Sequence, residues 1–361
     1  MADLASGYNI LEKIGTGAKS LIYKVVDPST GQNFAIKRVV REPDEDTRFL
    51  EQAITEYEIS REIDHPALRR IFDLKRFRSW GRLTEVHVVM EYVQGVSLEQ
   101  HRPTDMAETV QIFIKVAEGL DAMHRAGFLH TDLKPNNILV CSDSVVKIID
   151  FGQSCPVLTR KKRIQGTPDY IAPEQVHREP LTARTDVFNL GATMYWVLTG
   201  KAYPTIISKN SQPGAYNVVA PRQIPAPHEV NPLIPVGLSR LVMESCQEQP
   251  IHRPRDMRTV ITRLEAVQQM LGSRPADAAA PAEAADPPPP AAPPPEQPRP
   301  PSDESSVKLF EKHDGPHDDV HSAIEDVLLG DLDRSDDDLR PDLRPREPRP
   351  RPDDTPPKSE P

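Results

Sequence analysis

His130-Thr131-Asp132-Leu133-Lys134-Pro135-Asn136-Asn137, followed eighteen residues after Asp132 by Asp150-Phe151-Gly152, is the stretch on which the reading of this chain turns. It puts a carboxylate, an ammonium and a carboxamide on one short loop and brings a second carboxylate close behind. Phosphoryl transfer asks for that set: a base for the incoming hydroxyl, a cation for the γ-phosphate, and oxygen ligands for Mg²⁺. Each piece alone is weak; their order and spacing carry the signal.

Upstream, Ile14-Gly15-Thr16-Gly17-Ala18-Lys19-Ser20-Leu21-Ile22 reads as strand, tight turn, strand. Glycine lets the backbone approach phosphates closely, although a lone Gly-x-Gly is more often a plain hairpin turn. Phe34-Ala35-Ile36-Lys37-Arg38-Val39-Val40 reads as a buried strand interrupted by one lysine, which needs a partner to offset its desolvation. A helix is predicted over about residues 45–63, with Phe49, Ala53, Tyr57 and Ile63 on one face. It offers Glu56 as that partner, with Glu58 as a rival and a solvated pairing with Arg61 as the bland alternative. Further on, Val110, Phe113, Val116, Leu120 and Met123 keep helical spacing over about 105–126 and stop at Gly127. The run from Asp186 to Leu198 reads as a nearly all-apolar buried helix closed by Gly200. An acid at the start of such a helix suits the positive end of its dipole.

Taken together, these residues resemble the protein kinase superfamily, most closely the bacterial group of eukaryotic-type (Hanks-type) serine/threonine kinases. The likeness covers about Tyr8 to Leu271. It runs in order through the Gly-rich loop, Ala35-Ile36-Lys37, Glu56, a hinge at Met90-Glu91-Tyr92-Val93, the Asp132 loop, Asp150-Phe151-Gly152, Ala172-Pro173-Glu174, Asp186 and Arg253. The fold implied is α+β and bilobal. A small antiparallel-sheet lobe with one helix spans about 8–93, a mainly helical lobe about 94–271, and a disordered tail 272–361.

The resemblance also implies roles. Lys37 would hold the α- and β-phosphates of ATP while pairing with Glu56, which stands before His65-Pro66 at the family's spacing. Asp132 would orient a substrate hydroxyl and take its proton, and Lys134 would neutralise charge on the moving phosphate. Asn137 and Asp150 would hold Mg²⁺. Gly15, Thr16, Gly17, Ala18, Lys19 and Ser20 would form the phosphate loop. Ile14, Ile22, Ala35, Met90 and Leu139 would sandwich adenine, with backbone groups of Glu91 and Val93 on its edge. Lys134 and the platform from Gly166 to Glu174 point to Ser/Thr substrates, with Thr167 bridging Asp132 and Lys134. Asp186 would tether the catalytic loop, and Glu174 with Arg253 would brace the platform.

Three residues depart from the family pattern. Ser20 stands for the third glycine of the phosphate loop, which predicts a tuned ATP affinity. Thr131 replaces the arginine that normally receives an activation-segment phosphate, so basal activity is expected not to depend on such a phosphate at Ser154 or Thr159. Ser60 stands where a bulky apolar contact usually steadies the helix carrying Glu56, which predicts a helix in need of other support. Ser97 and Asn136 occupy the positions where relatives that select basic substrates carry glutamates.

The formal net charge of −10 belongs to the tail. From Gly272 onward there are 22 acidic and 11 basic residues, leaving 33 of the 44 basic and 32 of the 54 acidic residues for the rest of the chain. More than half of the 39 prolines also lie there. That composition predicts disorder with polyproline II stretches. It is interrupted by one helical spacing at Val320, Ile324, Val327 and Leu328, a transient helix or a docking motif for tail-binding partners. Cys141, Cys155 and Cys246 lack metal-ligand spacing and suit a reducing compartment. With no signal peptide and no membrane-length apolar run, a cytoplasmic protein acting on protein substrates is expected, without a nucleic-acid partner. Arg160-Lys161-Lys162-Arg163 reads either as a solvated basic loop or as an attractor of acidic substrates or of the acidic tail. The competing functions are a pseudokinase scaffold and a small-molecule phosphotransferase.

Overall fold

The computed structural model describes residues 7–17, 19–41, 47–142, 145–205, 207–209, 216–218 and 224–273. Strands β1 (Asn9–Gly17), β2 (Ser20–Val26) and β3 (Asn33–Val40) lead into helix α1 (Arg48–Glu62), and β4 (Ile71–Ser79) and β5 (Arg82–Glu91) follow. All five strands form one antiparallel sheet in the order β1-β2-β3-β5-β4. The period of two in β3 explains how a lysine enters this lobe. Ala35 and Val39 pack with Leu50 and Ala53 of α1 and with Val86, Val88 and Met90 of β5, whereas Ile36 packs on the opposite face with Val25 and Val89. Lys37 shares the row of Ala35 and Val39, so the strand itself aims it at the helix.

The second lobe begins with β6 (Gly95–Ser97) and α2 (Met106–Arg125), then β7 (Phe128–Leu129), β8 (Ile138–Cys141), β9 (Val146–Ile148) and β10 (Cys155–Pro156). Helices α3 (Pro173–Val176), α4 (Ala183–Thr199), α5 (Pro227–Val230), α6 (Val236–Ser245) and α7 (Met257–Gly272) complete it. Asp105 caps α2 by accepting the Glu108 N–H, and Gly127 follows its end at φ +89°, a conformation that costs glycine little. Val110, Phe113, Val116, Leu120 and Met123 are all buried in one core with residues of α4, α6 and α7. Each such side chain stabilises by about 1.5–3 kcal/mol relative to exposure. Helix α4 is buried on nearly every side, as an all-apolar helix must be. Thr182 caps its start, and Gly200 closes it at φ +72°.

Helix α1 packs Phe49, Ala53, Tyr57 and Ile63 on the core as predicted, but its buried face is wider. Its buried residues include Leu50, Ala53, Glu56 and Ile59, with Phe49, Tyr57 and Ile63 only partly buried at the flanks. Glu56 lies on that face between Ala53 and Ile59, with Lys37 and Arg69 meeting its carboxylate. Ala18, the tail from 274 onward and the spacing at Val320 to Leu328 lie outside the described residues. No helix among the described residues is long and apolar enough to cross a membrane.

Candidate active site

The loop from His130 to Asn137 is held from beneath by α4. Asp186, in the first turn of that helix, accepts the backbone N–H of His130 at 2.9 Å and of Thr131 at 2.8 Å, and meets His124 Nε2 at 2.8 Å. Both readings of Asp186 therefore apply: it lies at the helix's positive end, and it tethers the loop. Burial alone would raise its pKa, but the His124 hydrogen bond, His124 and His130 charges and the loop amides hold it lowered. His130 is buried against the ring of Phe151, and that burial lowers its pKa.

On this loop Asp132 and Lys134 lie 3.3 Å apart. Thr167 joins them, receiving a hydrogen bond from Lys134 Nζ at 2.9 Å and donating to Asp132 Oδ1 at 2.8 Å. Burial opposes the Lys134 charge, but Asp132 and Asp150 hold its pKa above the ordinary value. The Asn137 amide donates to the Asp132 carbonyl at 2.9 Å, and the Ile149 N–H pairs with the Asn137 carbonyl. That last bond ties the loop to the strand end that presents Asp150.

From the small lobe, Lys37 Nζ donates to Glu56 Oε2 at 2.9 Å and lies 3.6 Å from Asp150 Oδ1. Glu56 is the partner; its rival Glu58 is exposed and lies 3.9 Å from Arg76, and the Arg61 guanidinium lies over the Tyr57 ring. Burial works against the Lys37 charge, yet Glu56 and Asp150 raise its pKa overall. The Lys37 ammonium, against burial, in turn holds the Asp150 carboxyl well below the usual carboxylate range, with Lys134 and Arg69 adding to it. Asp150 also sits at φ +67°, a sparsely populated conformation for a non-glycine residue.

A partner the sequence reading missed is Arg69, buried with its guanidinium 2.9 Å from Glu56 Oε1. Ser60, where an apolar contact was expected, accepts the Ile71 N–H at 3.2 Å and pins α1 to β4 through a polar bond. A further tie spans the hinge. The Glu91 carboxylate meets Lys147 Nζ of β9 at 2.9 Å and accepts the Arg70 N–H.

These groups face one cleft of about 540 Å³. Of the expected residues, Ile14, Thr16, Gly17, Ser20, Ile22, Ala35, Lys37, Glu91, Val93, Asp132, Lys134, Asn137, Leu139 and Asp150 line it. Gly15, Lys19, Glu56, Met90 and Thr167 do not: Lys19 is in the β1–β2 turn at φ +56°, Met90 is fully buried in the sheet–helix core, and Glu56 and Thr167 act on the cleft through Lys37 and through Asp132 and Lys134. Gln52 and Ile149 line the cleft unforeseen, because nothing in their local pattern separates a wall residue from core.

The donor set fits Mg²⁺, which is commonly held by one or two carboxylates with phosphate oxygens and water. Asp150 is kept ionised and partly open to the cleft, and the Asn137 amide nitrogen is already engaged, leaving its oxygen for a cation. Among the described residues no group of three or more His, Cys, Asp or Glu side chains gathers to hold a metal alone.

The segment between Asp150 and Glu174 is anchored at its far end by a buried bidentate pair, with Arg253 donating to Glu174 at 2.7 and 2.9 Å. Within the basic run Arg160 and Lys162 are exposed, but Lys161 turns inward to Thr131, so the solvated-loop reading fails for that residue. Ser154 is buried and donates to the His130 carbonyl at 3.3 Å, so it is a structural hydroxyl.

The sequence profile of the protein kinase domain matches residues 8–261. The chain is 27% identical over 279 residues to a probable serine/threonine-protein kinase of Clostridium acetobutylicum, covering 73% of this chain and 40% of that one. It is 29% identical over 263 residues to a probable serine/threonine-protein kinase PknB of Corynebacterium glutamicum, covering 69% and 40%. With the serine/threonine-protein kinase PknB of Mycobacterium leprae it shares 27% identity over 278 residues, covering 73% and 44%. The chain thus spans about two fifths of the length of these relatives.

Proposed function

The chain belongs to the protein kinase domain family, and from that premise we propose that it is a serine/threonine protein kinase moving the ATP γ-phosphate to Ser/Thr hydroxyls of protein substrates. The observation that carries this reading is the convergence of Lys37, Asp132, Lys134, Asn137 and Asp150 on one cleft. In this reading the catalytic domain spans 8–271, with its small lobe over 8–93 and its large lobe over 94–271.

Ile14, Ile22, Ala35 and Leu139 make the apolar slot for adenine, Met90 backs it from the core, and backbone groups at Glu91 and Val93 meet its edge. The β1–β2 turn from Gly15 to Ser20 covers the phosphates. Lys37, oriented by Glu56 and Arg69, holds the α- and β-phosphates. Asp132 orients the substrate hydroxyl and accepts its proton at the carboxylate that Thr167 already hydrogen-bonds. Lys134 offsets charge on the moving phosphate. Asn137 and Asp150 would hold Mg²⁺, which supplies charge neutralisation to the phosphate oxygens. With all these groups present and facing one space, a scaffold without chemistry is disfavoured. The braced platform of Gly166 to Glu174 supports a protein substrate over a small molecule. A cytoplasmic setting belongs to the same proposal, supported by the buried thiols of Cys155 and Cys246.

The test is incubation of the purified chain with labelled ATP, Mg²⁺ and a protein substrate, with mass-spectrometric mapping. Phosphate on Ser or Thr is expected. Phosphate confined to Tyr, or to an added small-molecule alcohol, would replace the reading.

A further inference from the structure

Thr131 stands immediately before Asp132 in a conformation that a β-branched residue adopts at a cost, φ +62°. It persists because every polar group it owns is engaged. Its N–H goes to Asp186 at 2.8 Å, and its carbonyl accepts from Gln175 Nε2 at 2.7 Å. Its hydroxyl donates to the Gln153 carbonyl at 2.8 Å and accepts from Lys161 Nζ at 2.8 Å. The same ammonium donates to the Gln153 carbonyl at 2.5 Å. One side chain from the middle of the 150–174 segment thus closes a triangle. Its corners are the catalytic loop, the turn after Asp150-Phe151-Gly152, and the segment itself.

Both of these Lys161 contacts are to uncharged oxygens, so its position is not explained by a salt bridge. Burial disfavours its charge, and Cys155, Asp132 and Asp186 offset that only in part. A long side chain turned inward and half-buried against such opposition, while exposed Arg160 and Lys162 flank it, is placed there by geometry. The segment just before it is pinned too. The Val157 N–H bonds the Gly127 carbonyl, the Leu158 N–H bonds the Leu181 carbonyl, and the Leu181 N–H bonds the Thr159 carbonyl. The serine and threonine hydroxyls of the segment are already engaged. Ser154 goes to the His130 carbonyl, Thr159 to the Pro156 carbonyl and Thr167 to Asp132.

We propose that Lys161 is a positioning residue for phosphoryl transfer: its ammonium locks the segment to Thr131 and Gln153 and so fixes Asp132 without any modification of the segment. The proposal rests on the kinase reading above. It concerns order in the large lobe, so it predicts a loss in turnover and none in nucleotide affinity.

The experiment compares wild type with Lys161→Met, Thr131→Val and the double variant. Valine keeps the β-branch at position 131 and removes only the hydroxyl. Readouts are kcat, KM for ATP, the Kd of Mg·ATP, the melting temperature, and hydrogen exchange over residues 153–166. Loss of one or two hydrogen bonds to a charged group corresponds to a kcat lower by about 10- to 100-fold. The Kd should stay within about twofold, the segment should lose exchange protection, and the double variant should be no worse than the more impaired single one. Arg160→Met and Lys162→Met should keep wild-type kcat. Unchanged kcat and unchanged protection in Lys161→Met would overturn the proposal, as would additive losses in the double variant. If Lys161→Met does not fold, Thr131→Val with wild-type kcat and protection overturns it alone. Should wild type transfer no phosphate, the kinase reading fails. Exchange protection then still decides whether Lys161 orders the segment.

Discussion

Helix α1 and the catalytic loop are both held in place by buried polar groups, but on different foundations. α1 lies in a small lobe and is fastened mainly by long side chains, Glu56 to Lys37 and Arg69, with the short Ser60 hydroxyl accepting the Ile71 N–H. The catalytic loop is fastened by its own backbone to Asp186 on a helix buried on nearly every side, and braced through Thr131. Long side chains hold position and can let go, whereas a backbone sewn to an interior helix moves only if the lobe opens. The small lobe should therefore lose geometry before stability, and the large lobe should lose both together.

The strongest way to break that contrast lies in the large lobe. Arg253→Met leaves Glu174 buried without its partner, which typically costs about 3–5 kcal/mol. Thermal melts should show a large fall, with turnover lost alongside. A loss under about 1 kcal/mol would mean the platform is not built on that pair. In the small lobe, Glu56→Gln weakens charge-assisted bonds to two cations. Turnover should fall about 10- to 100-fold, while the melting temperature falls far less than in Arg253→Met. Equal destabilisation by both changes would erase the distinction.

Acid sharpens it further. His130 is buried with a lowered pKa, so the folded state favours its neutral form. Its contribution is complete above the unfolded value of about 6.5 and is lost as pH falls through the depressed folded value, at up to about 1.4 kcal/mol per pH unit. Denaturant titrations at pH 7.5 and 5.5 should show the drop, and a flat profile would contradict the burial. The smallest effect belongs to Ser60→Ala, which deprives the Ile71 N–H of its acceptor for about 1 kcal/mol. Nucleotide affinity should decline slightly with it.

The contrast also marks what could be read in the chain before it folded. Lys37, Glu56, Asp132, Asn137, Asp150 and Thr167 were legible because each sits in a short motif, and the motifs come in order. The α2 and α4 helices were legible from their spacing, and Gly127 and Gly200 marked their ends. The face of α1 was read too narrowly, because hydrophobic periodicity takes no account of a buried glutamate. Arg69 and the Glu91–Lys147 tie gave no local signal, since their partners lie 13 and 56 positions away in sequence. Lys161 was hidden within a run of four basic residues. Only the path of the folded segment separates the one turned inward from its exposed neighbours.

The central claim is that Asp132 takes the proton in a cleft whose nucleotide is held by other residues. Asp132→Asn preserves size and removes the base, so it separates these roles. The account predicts turnover lower by about 10²- to 10⁴-fold, with the Kd of Mg·ATP and the melting temperature close to wild type. Phosphorylation of Ser and Thr at an undiminished rate in Asp132→Asn would contradict it.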